Sequence, residues 1–209
     1  AESTTKTLQS LVDTLAFLGL GREHIVQIKS FYGPASQVSA VERAFAEFFK
    51  GGTIPPLVFV EWTTSPSIEI ELIAAGGKSG PADGETVDYL TPPGMTASPL
   101  FSRVARMGAG PSIYLAGLYG TSQQAGAAES REIYRHMTTL LESAGSDLKH
   151  LVKATYYVST AEASAKLNEV RPEFYDPQRP PAASKAPVPG TGRAGQTLTI
   201  DMIAAPRRK

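Results

Sequence analysis

The apolar residues near the start of the chain recur three and four positions apart, which predicts a one-faced helix. Ser3 or Thr4 is the predicted N-cap of this helix, and Gly19 marks its end. A second stripe of the same kind over residues 38–49 predicts another helix, closed by a pair of glycines. The first stripe consists of Leu8, Leu11, Val12, Leu15 and Leu18, and the second of Val38, Val41, Phe45, Phe48 and Phe49.

Segments typical of strands lie between and after these helices. Residues 24–32 are rich in β-branched and aromatic side chains and predict a strand that ends at Gly33 and Pro34. Residues 57–62 and 67–75 predict two more strands, joined by a short turn. We therefore expect this part of the chain to run helix, strand, helix, strand, strand.

The same five elements recur further along the chain, after two additional strands. The segment from Gly108 to Pro111 separates these two strands as a turn. Together they form one complete ββαβαββ unit. The predicted elements are strands at 102–107 and 112–119, a helix at 127–144, a strand at 151–158, a helix at 161–175, and strands at 183–188 and 197–204.

Internal similarity supports two units of the same kind. His24 and His150 stand 126 positions apart (150 − 24), and IEIELIAA at 68–75 matches LTIDMIAA at 198–205. A period this long corresponds to a whole domain. We expect a partial domain at 1–75 that lacks its first strand pair, a Gly- and Pro-rich linker at 76–97, and a complete domain at 98–209. At the same offset Leu15 matches Leu141, Gly19 matches Gly145, Glu47 matches Glu173 and Phe48 matches Phe174.

The order of the elements predicts an α+β fold with both helices on one face of a sheet. The opposite face of that sheet keeps apolar residues such as Ile113, Leu115 and Ile200. Because an apolar face of this kind has to be covered, we expect an assembly of several units to bury it.

Composition excludes several classes of partner. Twenty Lys and Arg balance 20 Asp and Glu, so no overall field draws the chain to nucleic acid or to an anionic membrane. No apolar run approaches the roughly 20 residues of a membrane helix, and with no secretory signal pattern in residues 1–20 we expect a cytoplasmic protein. Cysteine is absent, and the three histidines lack the spacing of metal ligands.

Four segments carry a family resemblance: AGLYG at 116–120, LLESAGSDLKHLVKATYYVS at 140–159, FYDPQRPPAAS at 174–184, and the closing LTIDMIAA. They resemble the Rid family of reactive intermediate deaminases, also called YjgF proteins and, in older usage, endoribonuclease L-PSP. The resemblance implies a chorismate-mutase-like fold, in which three units pack their sheets into a central barrel. A homo-oligomer, either a trimer or a pseudo-trimer, is therefore expected.

The resemblance also implies a chemistry. Such proteins hydrolyse small carboxylated imines or enamines in pockets between subunits, and they need no metal or organic cofactor. An arginine pairs with the substrate carboxylate in bidentate fashion. A glutamate, together with backbone groups, positions the water that attacks the imine carbon.

The chain departs from this pattern at the positions that the resemblance implies to be catalytic. The family's arginine corresponds to Ala183 in the second unit and to Leu57 in the first. The family's glutamate corresponds to Glu69 in the first unit but to Thr199 in the second. Glu69 is therefore the implied catalytic residue, and the alternative for it is a strand residue that faces solvent or pairs across the sheet.

Four further positions belong to the pocket that the resemblance implies. The family's serine on the second strand is Ala116 here, while the glycine that follows is kept as Gly117. Phe101 takes the place of an aromatic residue on the first strand, and Tyr119 belongs to the AGLYG segment. We expect Gly117, Tyr119 and Phe101 to contact substrate.

Two cations are candidates to replace the missing arginine. Lys185 lies two residues after Ala183, on the same face of the strand and roughly 6.6 Å along it, where it would bind a carboxylate as a point charge. Its alternative is a lysine at a barrel rim. Arg193 lies in the loop PGTGRAGQ at 189–196, and its alternative is an exposed hairpin residue.

Three functions remain open from the sequence. The first is a Rid-like protein that binds a small carboxylated metabolite between subunits without standard imine deaminase activity. The second is an imine or enamine deaminase in which Lys185 or Arg193 holds the anion and Glu69 orients water. RNA cleavage is the weakest, because the net charge is zero and no cluster of aromatic and basic residues is present.

Overall fold

The structure of the chain is a computed structural model. It divides into two compact units, Ala1–Ser79 and Gly80–Lys209. Most of the predicted turn at 63–66 and the linker glycines Gly77 and Gly84 lie outside the described residues. The structure describes residues 2–63, 68–76, 80–81, 85–120 and 125–207.

The first unit has the predicted order of helix, strand, helix, strand, strand. The prediction of a cap at Ser3 or Thr4 is wrong, because both residues lie inside the helix and the Thr4 side chain is buried. The elements are α1 (Glu2–Phe17), β1 (Ile25–Tyr32), α2 (Val38–Phe48), β2 (Leu57–Glu61) and β3 (Ile68–Ala74).

The three strands of the first unit form one sheet with β1 at its centre. β1 runs parallel to β2 and antiparallel to β3. Leu8 of α1, Ile28 of β1 and Phe45 of α2 meet in one buried apolar cluster, so both helices contribute to the same core. Trp62, directly after β2, is buried and stacks on Phe31 with ring centres 6.0 Å apart.

The second unit runs βββαβαββ along its described residues. Four of the strands form a mixed sheet in the order β6, β9, β7, β8, in which β7 runs parallel to β8 and antiparallel to β9. Apolar residues of both helices pack on this sheet, so the predicted α+β fold class is confirmed. The elements are β4 (Val87–Leu90), β5 (Val104–Met107), β6 (Ile113–Leu118), α3 (Ala127–Ser143), β7 (Leu151–Val158), α4 (Ala161–Val170), β8 (Ala182–Pro187) and β9 (Leu198–Ala204).

The start of the second unit differs from the predicted arrangement in two respects. A strand, β4, lies within the range 76–97, where composition predicts a linker. β5 pairs with this strand, and the following strand β6 pairs with β9, so β5 and β6 are not the hydrogen-bonded pair that the sequence predicts. The reason is burial: Val87 of β4 is 1% exposed and packs with Val152 and Ala205.

Helix α4 ends earlier than the predicted limit of residue 175. It stops at Val170 and continues as a single 3-10 turn, Arg171–Glu173. Pro172 explains this end, because it has no backbone N–H to donate to the preceding turn.

Among the described residues, no helix is long and apolar enough to cross a membrane.

The two sheets share their order and their register. Ile28 pairs with Leu57 in the first unit and Ala154 pairs with Ala183 in the second, and both members of these pairs differ by 126 (154 − 28 and 183 − 57). Each central strand carries an irregularity at the matching position. These lie between Ile25 and Gln27 in β1 and between Leu151 and Lys153 in β7.

Candidate functional site

Lys185 lies on β8, the edge strand of the four-stranded sheet, and its side chain points towards the helices. Its Nζ donates to Oδ1 of Asn168 on α4 at 3.3 Å. Ala183, two residues earlier, packs against the apolar core on the same side. The two side chains therefore share a face, as the alternation of a strand requires. Burial lowers the pKa of Lys185, and the nearby Arg171 lowers it further.

Arg171 is the second cation at this place. It is 4% exposed, and its Nη2 donates to the same Oδ1 of Asn168. The guanidinium carbon lies 5.1 Å from the centre of the Tyr156 ring. Nε of Arg171 is buried and has no hydrogen-bond partner. Two cations thus share one neutral acceptor.

Tyr156, whose ring faces Arg171, belongs to a group of three tyrosines whose hydroxyls meet in the core. The Tyr134 hydroxyl donates to that of Tyr175 at 3.3 Å, and the hydroxyls of Tyr175 and Tyr156 are 2.6 Å apart. Burial raises the pKa of all three, which keeps them neutral at physiological pH. We name this group the polar core cluster, and it consists of Tyr134, Tyr156, Asn168, Arg171, Tyr175 and Lys185.

Gly117, Tyr119 and Arg193 lie together at the opposite edge of the sheet. The Arg193 guanidinium carbon stands 4.1 Å from the centre of the Tyr119 ring, and the Tyr119 hydroxyl donates to the carbonyl of Thr191 at 2.6 Å. A Cβ on Gly117 would lie 3.5 Å from the Tyr119 ring and 3.6 Å from Oγ1 of Thr199. We name Gly117, Tyr119, Arg193 and Thr199 the β6 rim.

Glu129 fixes the strand that carries Thr199. Its buried carboxylate accepts hydrogen bonds from the backbone N–H of Thr197 at 2.9 Å and of Leu198 at 3.2 Å, and from the Thr197 hydroxyl. These bonds anchor the start of β9 to α3. The Thr199 hydroxyl donates to the Leu118 carbonyl at 3.1 Å, so it is already engaged with β6.

The remaining predicted residues lie elsewhere. Phe101 precedes Ser102, whose backbone pairs with Ala182 at the start of β8, and the guanidinium carbon of Arg103 is 4.9 Å from the Phe101 ring centre. Glu69 lies on β3 of the first unit, opposite Phe31 in the sheet.

The structure therefore groups only some of the predicted site residues. Gly117, Tyr119 and Arg193 meet at the β6 rim. Lys185 is on β8, three strand positions away in the sheet order, which corresponds to about 14 Å at the usual strand spacing. Within the described residues, no group of three His, Asp or Glu side chains is arranged to hold a metal ion.

Sequence reasoning missed five members of the polar core cluster. Asn168 lies in the last turn of α4 and Arg171 directly follows the helix. The sequence pattern of this helix is that of an ordinary amphipathic segment. The signal was present in the internal repeat, because the residue matching Arg171 at the offset of 126 is Phe45 (171 − 126). A charged residue that replaces an aromatic one at a matched core position is a detectable anomaly.

Comparison with known proteins supports the resemblance. The model of the family described as endoribonuclease L-PSP matches residues 95–205. No protein of curated description matches the chain.

Solved structures are also similar to part of this chain. A Rid-family protein of unknown function from Yersinia pestis is 20% identical, with 58% of this chain and 99% of that chain covered and a TM-score of 0.50. A member of the YjgF family from Neisseria meningitidis is 23% identical, with 59% and 97% covered and a TM-score of 0.45.

The first of these likenesses shows the fold, and the α+β architecture fits a chorismate-mutase-like unit. The family model spans 111 of the 209 residues (95 to 205), more than half of the chain. The chain therefore belongs to the endoribonuclease L-PSP family, the group also called Rid or YjgF proteins.

Proposed function

We propose that this chain is a Rid-like protein that binds a small carboxylated metabolite and lacks standard imine deaminase activity. The observation that carries the proposal is the surroundings of Ala183, the position that corresponds to the family's arginine. Its side chain packs against the apolar core of the second unit. Leu57, at the matching position, packs against the apolar core of the first unit. Neither position offers a guanidinium to a carboxylate.

The position of the family's glutamate supports the same proposal. In the second unit it is Thr199, whose hydroxyl is engaged with the Leu118 carbonyl. A neutral hydroxyl cannot take a proton from water as a carboxylate can. Both groups that would bind the substrate and activate water are thus replaced in the second unit.

The pocket proposed for the metabolite lies between subunits of an oligomer. Gly117 of the β6 rim and Lys185 lie on the two edge strands of one sheet, about 14 Å apart by strand spacing. A single small molecule that contacts both kinds of residue needs the β6 edge of one subunit next to the β8 edge of another. We propose that a trimer-like barrel supplies this arrangement, and that the first unit is a partial second copy of the same domain. The shared sheet order and register support the second point.

A second candidate is an imine deaminase with a relocated cation. Arg193 favours it, because this residue is exposed and stacks on Tyr119 beside the retained Gly117. In that arrangement Arg193 or Lys185 would hold the substrate carboxylate and Glu69 of a neighbouring subunit would orient the attacking water.

Ammonia release from 2-iminopropionate, generated in situ, separates the two candidates. The proposed function predicts no acceleration over the uncatalysed rate, for this imine and for bulkier imino acids. Acceleration in the wild type would overturn the proposed function in favour of the deaminase if two kinds of variant abolish it. One is a cation variant, Arg193→Ala or Lys185→Ala, and the other is Glu69→Ala. Lys149→Ala serves as the control, because Lys149 is a cation of the second unit outside both clusters.

A further inference from the structure

The polar core cluster has an apolar counterpart in the same chain. At the offset of 126, five of its six members match core residues of the first unit, with Ser30 as the one polar residue among them. Phe45 and Phe59, which match Arg171 and Lys185, contact each other edge to face with ring centres 5.9 Å apart. The matched pairs are Leu8 and Tyr134, Ser30 and Tyr156, Phe45 and Arg171, Phe49 and Tyr175, and Phe59 and Lys185, while Asn168 matches the exposed Glu42.

This comparison separates folding from function. The first unit builds the same sheet, in the same register, with Leu8, Phe45 and Phe49 in one apolar cluster. The fold therefore does not need charged or phenolic groups at these positions. A buried cation without a partner of opposite charge is costly, so the presence of Arg171 in the second unit, with Lys185 beside it, calls for another explanation.

The hydrogen bonds of the cluster leave donors in excess. Nε of Arg171 is buried without a partner. Its Nη2 and Nζ of Lys185 both donate to Oδ1 of Asn168. The three tyrosine hydroxyls have three protons but form two hydrogen bonds among themselves. One phenolic proton is thus left for an acceptor outside the three tyrosines.

The charged groups of the cluster are both cations, Arg171 and Lys185. Burial raises the pKa of Tyr134, Tyr156 and Tyr175, so no phenolate offsets the cations. Burial and then Arg171 lower the pKa of Lys185, which is the response of an amine without a counter-ion. A bound anion would supply both the missing charge and the missing acceptors.

We propose that the polar core cluster binds the carboxylate of a small organic acid, with Arg171 and Lys185 as the two cations and a tyrosine hydroxyl as a further donor. The planar guanidinium of Arg171 favours a carboxylate, since its fork matches two oxygens in one plane. Lys185 is the partly exposed cation of the pair. The inference rests on the proposed function for the class of ligand, and it assigns the carboxylate of that ligand to the Lys185 side of the proposed pocket, within the second unit.

Thermal unfolding in the presence of anions tests the site without any catalytic assay. Acetate, pyruvate and inorganic phosphate are compared with chloride at equal ionic strength. Acetate and pyruvate are expected to raise the Tm of the wild type in a saturable way. Arg171→Phe and Lys185→Phe install the residues of the first unit and should weaken the apparent affinity at least about tenfold, which is the usual effect of losing a charge-assisted hydrogen bond.

Lys166→Gln is the matched control. Lys166 is a cation on α4, the helix that carries Asn168, and it pairs with the exposed Glu169. It should retain the full anion response. If Arg171→Phe fails to fold, Lys185→Phe carries the test. No carboxylate-dependent rise in the wild type, or an equal rise in Lys185→Phe, would overturn the proposal. A rise with phosphate and with neither carboxylate would overturn the assignment of the ligand.

The outcome is independent of imine hydrolysis. Absence of deaminase activity together with a carboxylate response agrees with both proposals. Deaminase activity with a carboxylate response that Arg171→Phe removes would refute the proposed function and leave the site intact.

Discussion

Arg171 and Lys185, which come from different elements of the second unit, donate to the same oxygen, Oδ1 of Asn168. An amide oxygen carries no net charge, so this contact satisfies hydrogen-bonding groups without neutralising either cation. The pair is thus held in place by a partner that leaves its positive charge available. The chemical character of residue 168 therefore controls what the cluster can bind.

Replacing Asn168 by aspartate should stabilise the protein and remove its response to carboxylates. A carboxylate at this position would pair with both cations, and hydrogen bonds to charged groups contribute about 1.5–3 kcal/mol. Urea denaturation should show a higher midpoint for Asn168→Asp without added anion. Asn168→Leu, which removes the acceptor, should unfold at a lower midpoint. If Asn168→Asp still responds to acetate like the wild type, the result would contradict this account.

Tyr175→Phe should cost more stability than Tyr134→Phe. The Tyr175 hydroxyl contacts both other phenols, whereas the Tyr134 hydroxyl makes one long bond of 3.3 Å to Tyr175. Loss of the Tyr175 hydroxyl leaves two buried hydroxyls without their partner, at about 1–3 kcal/mol. Equilibrium unfolding in urea measures both variants. Equal decreases in the free energy of unfolding would show that the central position of Tyr175 does not contribute to stability.

Glu129→Ala should destabilise the second unit by about 2–4 kcal/mol, since it removes a buried acceptor of two backbone N–H groups and one hydroxyl. Amide hydrogen exchange should then quicken at Thr197 and Leu198, at the start of β9. Glu142→Ala on the exposed side of the same helix is the control and should leave exchange there unchanged. Unaltered protection in Glu129→Ala would exclude the anchoring role.

Asp147 should contribute to the free energy of unfolding at neutral pH, and this contribution should be lost in acid. Burial raises the pKa of this carboxyl, but hydrogen bonds from His150 and the Lys149 backbone outweigh it, and the net pKa lies below the ordinary value. Because the folded pKa is depressed, the contribution is complete above the unfolded pKa of about 4 and is lost as pH falls through the folded value.

The difference in stability between the wild type and Asp147→Asn, of the order of 1 kcal/mol near neutral pH, should therefore shrink below about pH 4. Unfolding free energies measured across this range check it. A difference that stays constant down to about pH 2.5 would be inconsistent with a depressed pKa at Asp147.

Sequence reasoning succeeded where one kind of residue dominates a segment. The strand predicted at 151–158 matches β7, because its β-branched and aromatic residues favour a strand and show no helical spacing of apolar positions. The strand β4 escaped prediction, because four residues between glycines and prolines carry too short a pattern to register. Its partner Val152 is distant in sequence, and burial against it is a tertiary effect.

The candidate site shows the same division. Alternation along β8 correctly predicts that Lys185 and Ala183 share a face. Which face the helices cover is decided by packing, and period-two spacing carries no information about it. Arg171 was overlooked for a related reason: a charged residue near a helix end is usually solvated, and only the tertiary structure shows it buried.

Trp62 gives the first unit an optical signature of its own. It is the one tryptophan of the sequence, and it stacks on Phe31 within that unit. Its emission therefore reports the unfolding of the first unit, while far-ultraviolet circular dichroism follows the helices of both. Transitions that do not coincide would reveal two independent folding reactions in one polypeptide, and the anion response would then be expected only in the transition that the tryptophan does not detect.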